Sequence, residues 1–70
     1  MPKTEKSKFT KAKILQVAKE VFAQKGFQKT TVKDITNAAD LGYGTFYLYF
    51  KDKREVFNAL VELVEDELYT

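Results

Sequence analysis

Residues Thr31 to Phe50 read TVKDITNAADLGYGTFYLYF, and the way this stretch divides decides the fold. Thr31 is a strong helix N-cap, with Asp34 three residues on as a shorter substitute for the usual Glu of a capping box. Val32, Ile35 and Ala39 then line one face of a helix expected over 32–39, while Lys33, Thr36 and Asn37 face outward. Asp40, Leu41 and Gly42 break the pattern after about two turns with residues suited to a tight turn. The last ten residues, LGYGTFYLYF, hold five of the chain's ten aromatic side chains and no charge. The run is far short of the roughly twenty apolar residues of a membrane span, and its apolar positions do not alternate as in a strand. At about 100° per residue, Tyr43, Phe46, Tyr47 and Phe50 fall on one face, while Thr45, Leu48 and Tyr49 point the other way. A second helix is therefore expected over 43–50, its core face anchored by Phe46 and Phe50 at i and i+4. Two short helices separated by a tight turn outline a helix-turn-helix, the motif whose second helix enters a DNA major groove.

Outward from this motif the chain stays helical. Met1 to Lys8 (MPKTEKSK) has no periodicity and is expected to be a disordered basic arm. Thr10 is a candidate N-cap and Phe9 a staple onto Ile14, so a first helix is expected over about 10–25. Ile14, Leu15, Ala18, Val21 and Phe22 form its apolar stripe, and Gly26 is expected to end it in the left-handed conformation. Asp52, with Glu55 at the capping-box position, opens a fourth helix from about 53, carrying Val56, Phe57, Leu60, Val61, Leu63, Val64 and Leu68. That helix has no stop signal, and its apolar residues wrap more than one face. It is expected to run on into a further helical domain that is absent here. The fold class is thus all-α: a small bundle with an arm over 1–8, a three-helix domain over 9–51 and helix 4 over 52–70.

Composition narrows the function. Seventy residues make one small domain, and the absence of Cys and His removes disulfides, Cys/His zinc sites, thiol nucleophiles and Ser-His-Asp chemistry. No enzyme, cofactor or metal is expected. The net charge of +2 hides an asymmetry: Met1 to Lys33 carries nine lysines against two glutamates, a surplus of seven, whereas Asp34 to Thr70 carries three basic against eight acidic residues, a deficit of five. A basic first half suits a polyanion such as nucleic acid. No apolar run follows the amino-terminal lysines as in a secretory signal, so a cytoplasmic location is expected.

Thr31-Val-Lys-Asp-Ile35, the turn before Gly44-Thr-Phe-Tyr47, Phe50 and the run Lys51-Asp-Lys-Arg-Glu-Val-Phe57, with Ile14-Leu15, Phe22 and Gly26 upstream, together resemble the DNA-binding domain of the TetR (tetracycline-repressor-like) family over about Phe9 to Leu60. The resemblance implies a cytoplasmic, homodimeric transcription factor, usually a repressor. Its amino-terminal domain binds palindromic double-stranded operators, and its carboxy-terminal domain dimerises and takes a small-molecule effector. The resemblance also assigns roles. Tyr47, Thr31 and Lys53 match phosphate-contacting positions, Tyr43, Gly44, Thr45 and Leu48 approach base edges, Lys33 reaches a guanine or a phosphate, and Tyr49 stands where His is frequent in the family. There are departures as well. Asp40 replaces the usual turn Gly, and Gly42 replaces a Ser or Thr, which removes one side-chain cap. The competing reading is a helical protein-interaction module that uses its aromatic face on a partner helix.

Overall fold

The computed structural model describes the backbone from Pro2 to Tyr69 and the side chains from Lys8 to Leu63. It contains four helices in the order α1 (Pro2–Lys25), α2 (Val32–Ala39), α3 (Tyr43–Tyr49) and α4 (Lys53–Tyr69), with no strand among the described residues. Helix α1 packs against α2 and α4, and α2 packs against α3. The core where they meet is Ile14, Ala18, Ile35, Phe46, Phe50 and Val56, with Leu15, Phe22, Val32, Leu41, Tyr49, Ala59 and Leu60 packed around it. Phe46, Ile14, Ile35 and Val56 are the largest fully buried apolar side chains, each worth about 1.5 to 3 kcal/mol in burial.

The all-α bundle is as expected, and the start of α1 is not. The helix runs through Thr10 back to Pro2, so Thr10 is no cap, and Phe9 stands 70% exposed instead of stapling onto Ile14. Proline suits the first helical turn, where its missing N–H has no partner to lose, and the residues after it are not helix breakers. Once the turns around Ile14 are nucleated by tertiary packing, extension costs one residue at a time. The side chains of the expected arm, apart from Lys8, lie outside the described residues, as do those of Val64 and Leu68 on α4.

At its other end α1 closes as anticipated. Gly26 has φ +85°, and its N–H still bonds the Phe22 carbonyl at 2.8 Å. Thr30, 1% exposed, folds back so that its N–H and hydroxyl both reach the Gly26 carbonyl, at 3.1 and 2.7 Å. Helix α2 begins with the full capping box: Thr31 Oγ1 accepts from the Asp34 N–H at 3.1 Å, and Asp34 Oδ2 accepts from the Thr31 N–H at 3.0 Å. Its end is a Schellman arrangement. Asp40 takes the left-handed conformation (φ 57°), its N–H reaching the Asn37 carbonyl, while the Leu41 N–H bonds the Thr36 carbonyl at 2.9 Å and the Leu41 side chain packs on the core. Aspartate replaces glycine there without losing the turn. Gly42 then caps α3 in an extended conformation with no side-chain hydrogen bond, the lost cap that the sequence implied.

Thr36 faces differently from expectation, and the cap of α4 is made differently. Thr36 is buried at 2% exposure, its hydroxyl donating to the Lys33 carbonyl at 3.1 Å, so its methyl faces inward while its polar atom is satisfied within the helix. At α4, Asp52 Oδ1 accepts from the Glu55 N–H at 2.9 Å, but Glu55 reaches back past the cap to the Lys51 N–H at 3.2 Å. Farther along α4, Phe57, Val61 and Leu63 remain 39 to 47% exposed, which matches the expectation that the core leaves part of this helix uncovered.

Candidate nucleic-acid interface

Helix α3 has a sharply divided surface. Phe46 and Phe50 are buried, Thr45 and Tyr49 are half-buried, and Tyr43, Gly44, Tyr47 and Leu48 face solvent, Leu48 at 79% exposure. The inward stripe is thus displaced from the expected one. Tyr43 and Tyr47, expected beside Phe46, lie outside, and Tyr49, expected outside and among the DNA-binding residues, packs against the core. The cause is Phe50, whose backbone is extended (φ −136°, ψ 144°) after the helix has ended. Its burial reflects that turn outward from the helical path and does not mark a helical face.

The exposed tyrosines act as one unit. Tyr43 Oη and Tyr47 Oη are 3.2 Å apart, and their rings meet edge to face with centroids 5.2 Å apart. The Tyr47 ring is held at 5.2 Å from Phe46 in the same geometry, which ties this pair to the core. The hydrogen bond to Tyr43, reinforced by desolvation, raises the Tyr47 hydroxyl above the ordinary tyrosine value. Gly44, next to Tyr43, is exposed, and a Cβ added there meets no atom from beyond its neighbours and its own helix backbone within 4 Å.

Helix α2 supplies the neighbouring wall. Lys33, Thr36, Asn37, Leu41 and Tyr43 line a groove of about 410 Å³ between the two helices of the motif. Lys33 and Asn37, one turn apart on α2, are exposed at its edge. Asn37 was legible in the sequence as an outward amide four residues after Lys33, yet only the turn geometry brings it beside Tyr43. At the start of α2, Thr31 is exposed, and the N–H groups of Val32 and Lys33 in the first turn have no intrahelical partner. Close by, Lys25 Nζ bonds Asp34 Oδ2 at 2.8 Å, the one ion pair among the described residues. That lysine first, and then the Thr31 N–H, hold the Asp34 carboxyl below the usual aspartate range.

Lys53, expected to hold a phosphate, is engaged elsewhere. Its Nζ donates to the carbonyls of Phe27 (2.6 Å), Thr30 (2.8 Å) and Gln28 (3.2 Å) in the α1–α2 loop. It also lies 4.4 Å from the centroid of the Phe27 ring, which packs in turn on Phe22 and Phe57. Nothing in the residue spacing reveals this arrangement. On the far side, Lys11 places its ammonium 5.7 Å from the Phe50 ring, beside the end of α3.

The sequence has a counterpart among known proteins: residues 14–60 match the model of the bacterial regulatory proteins of the tetR family. The chain belongs to the tetR family. Among its relatives, the HTH-type transcriptional regulator YvdT of Bacillus subtilis is 43% identical over 70 residues, covering all of this chain and 33% of that protein. The HTH-type transcriptional regulator AcrR of Shigella flexneri is 37% identical over 59 residues, 84% of this chain and 27% of its own length. The probable acrEF/envCD operon repressor of Escherichia coli K12 is 35% identical over 66 residues, 84% of this chain and 30% of its own length. The chain spans between a quarter and a third of these relatives. Membership in the tetR family places it among bacterial regulatory proteins, and the relatives it resembles are HTH-type transcriptional regulators. No described helix is long and apolar enough to cross a membrane.

Proposed function

We propose that this chain is the operator-binding part of a cytoplasmic, ligand-inducible repressor that binds a palindromic double-stranded operator as a homodimer. Dimerisation and effector binding belong to the parts of the regulator outside this chain. In this reading α3 lies in the major groove, with Tyr43, Gly44 and Leu48 against base edges, Thr45 at the margin, and Tyr47 donating its hydroxyl to a phosphate. Lys33 reaches a guanine edge or a phosphate from α2, and the first turn of α2 at Thr31 meets the DNA backbone. Lys53 and Tyr49 contribute from behind, through the loop and the core.

The observation that carries this reading is Gly44. A helical glycine costs about 1 kcal/mol relative to alanine, and here no neighbouring atom requires it, since the space above it is open. A helical glycine without an internal reason fits a surface that something else approaches closely. The uncharged, aromatic outer face of α3 fits the same role: bare of strong bidentate side chains, it can read thymine methyl groups and groove shape while surrounding lysines hold phosphates.

Selection of bound duplexes from a random library, with the full regulator and this chain side by side, tests the proposal. An enriched palindrome from the full regulator supports it. Failure to enrich any sequence, with binding indifferent to salt, favours the protein-interaction module instead, because phosphate contacts lose affinity steeply with salt.

A further inference from the structure

Lys53 is the first residue of α4, Thr31 caps α2, and the loop from α1 to α2 runs between them. An ammonium has three protons, and the three carbonyl oxygens of Phe27, Gln28 and Thr30 account for all of them at 2.6 to 3.2 Å. Three carbonyl dipoles pointing at one another repel unless a cation sits at their focus. The side chain is also fixed laterally, its head 4.4 Å from the Phe27 ring centroid within the Phe22, Phe27 and Phe57 cluster. The last of the three carbonyls belongs to Thr30, directly before the α2 cap.

We propose that Lys53 is a positioning residue for DNA binding: its ammonium gathers the loop carbonyls and thereby fixes the amino terminus of α2 relative to that of α4. The proposal rests on the DNA-binding reading above and reassigns this lysine within it. A cation that spends every donor inside the protein contributes to affinity by setting where Thr31 and the first turn of α2 stand. It does not act as a charge on a phosphate.

The unaltered chain gives the first test. In NMR spectra of 15N-labelled lysine ammonium groups, Lys53 is expected to show slow proton exchange unlike the exposed lysines, and uniform fast exchange overturns the clamp. Lys53→Met keeps the aliphatic stem over Phe27 and removes the donors. It is expected to speed amide exchange at residues 27–31 and to weaken binding to a mixed-sequence duplex about tenfold, with the slope of log K against log salt unchanged. Lys53→Arg is expected not to restore affinity, because a planar fork does not fit three converging carbonyls. A slope reduced by about 0.9, with recovery in Lys53→Arg, identifies a direct phosphate contact and overturns the positioning role. Absence of duplex binding by the unaltered chain overturns the DNA-binding reading itself, while the ammonium and loop exchange still report on the clamp. If Lys53→Met does not fold, the measurement on the unaltered chain decides.

Discussion

Single side chains on α3 separate folding from recognition. Phe46 has no exposed surface and sits in the centre of the core, so Phe46→Ala is expected to cost about 3 to 5 kcal/mol. That is most of the stability of a small domain, and thermal melting followed by circular dichroism should lose its cooperative transition. Gly44→Ala is expected to move stability and binding in opposite directions. It should raise stability by up to about 1 kcal/mol, since the new methyl meets nothing inside the protein, and it should weaken affinity for the selected duplex. Denaturant titration beside a binding titration checks this pair, and a stabilised variant with unchanged affinity removes Gly44 from the interface. At this scale the sequence was only half legible. Phe46 was readable as core because it lies inward in both the expected and the observed facing, whereas helical spacing put Tyr43 and Tyr47 inside, against the outward roles the family resemblance gave them, and put Tyr49 outside. With aromatic residues all around a seven-residue helix, apolar character does not set the phase. Phe50, the apparent second anchor, lies beyond the helix in extended backbone.

The elements are joined by caps and, among the described residues, by one ion pair, and Asp34 takes part in both. Asp34 closes the α2 capping box and pairs with Lys25 at the end of α1, and these contacts lower its folded-state pKa. A depressed folded pKa means that the unfolded chain binds the proton more readily. The contribution is therefore present above the unfolded value of about 3.9 and is lost as pH falls through the lower folded value. Asp34→Asn is expected to reduce stability at neutral pH and to flatten the fall in stability below about pH 4. Unfolding curves at several acidic pH values test this, and parallel profiles for both proteins would rule out Asp34 as the source. The caps at Thr31 and Asp52, the glycine stop at Gly26 and the turn at Asp40 were all readable, because each is a local pattern whose partners lie within a few residues. The clamp by Lys53 spans more than twenty residues, and the run of α1 back to Pro2 depends on packing that nucleates the helix elsewhere. Local spacing does not encode either one.

On the scale of the whole molecule, charge and helix order work together. The surplus of basic residues lies in the half that contains α1 and the start of α2, and the acidic residues gather toward α4. Binding to duplex DNA is expected to weaken with salt, with log K falling by about 0.9 for each phosphate neutralised. Alone, the chain offers one recognition helix and should hold a half-site weakly. Joining two copies through a dimerising segment is expected to raise affinity by about a hundredfold or more through effective concentration, provided the half-sites lie about one helical turn apart. Titration of the single and joined chains on the same duplex measures this gain, and equal affinities would count against two-fold recognition. The partition of α3 also bears on how such regulators diversify. Positions 43, 44, 47 and 48 border solvent, and of the four Tyr47 alone packs its ring on the buried Phe46, so most mutations there can accumulate with little folding penalty. A lineage carrying this scaffold can drift from one operator to another while its core stays unchanged, and a library randomised at those four positions is a direct route to regulators with new targets.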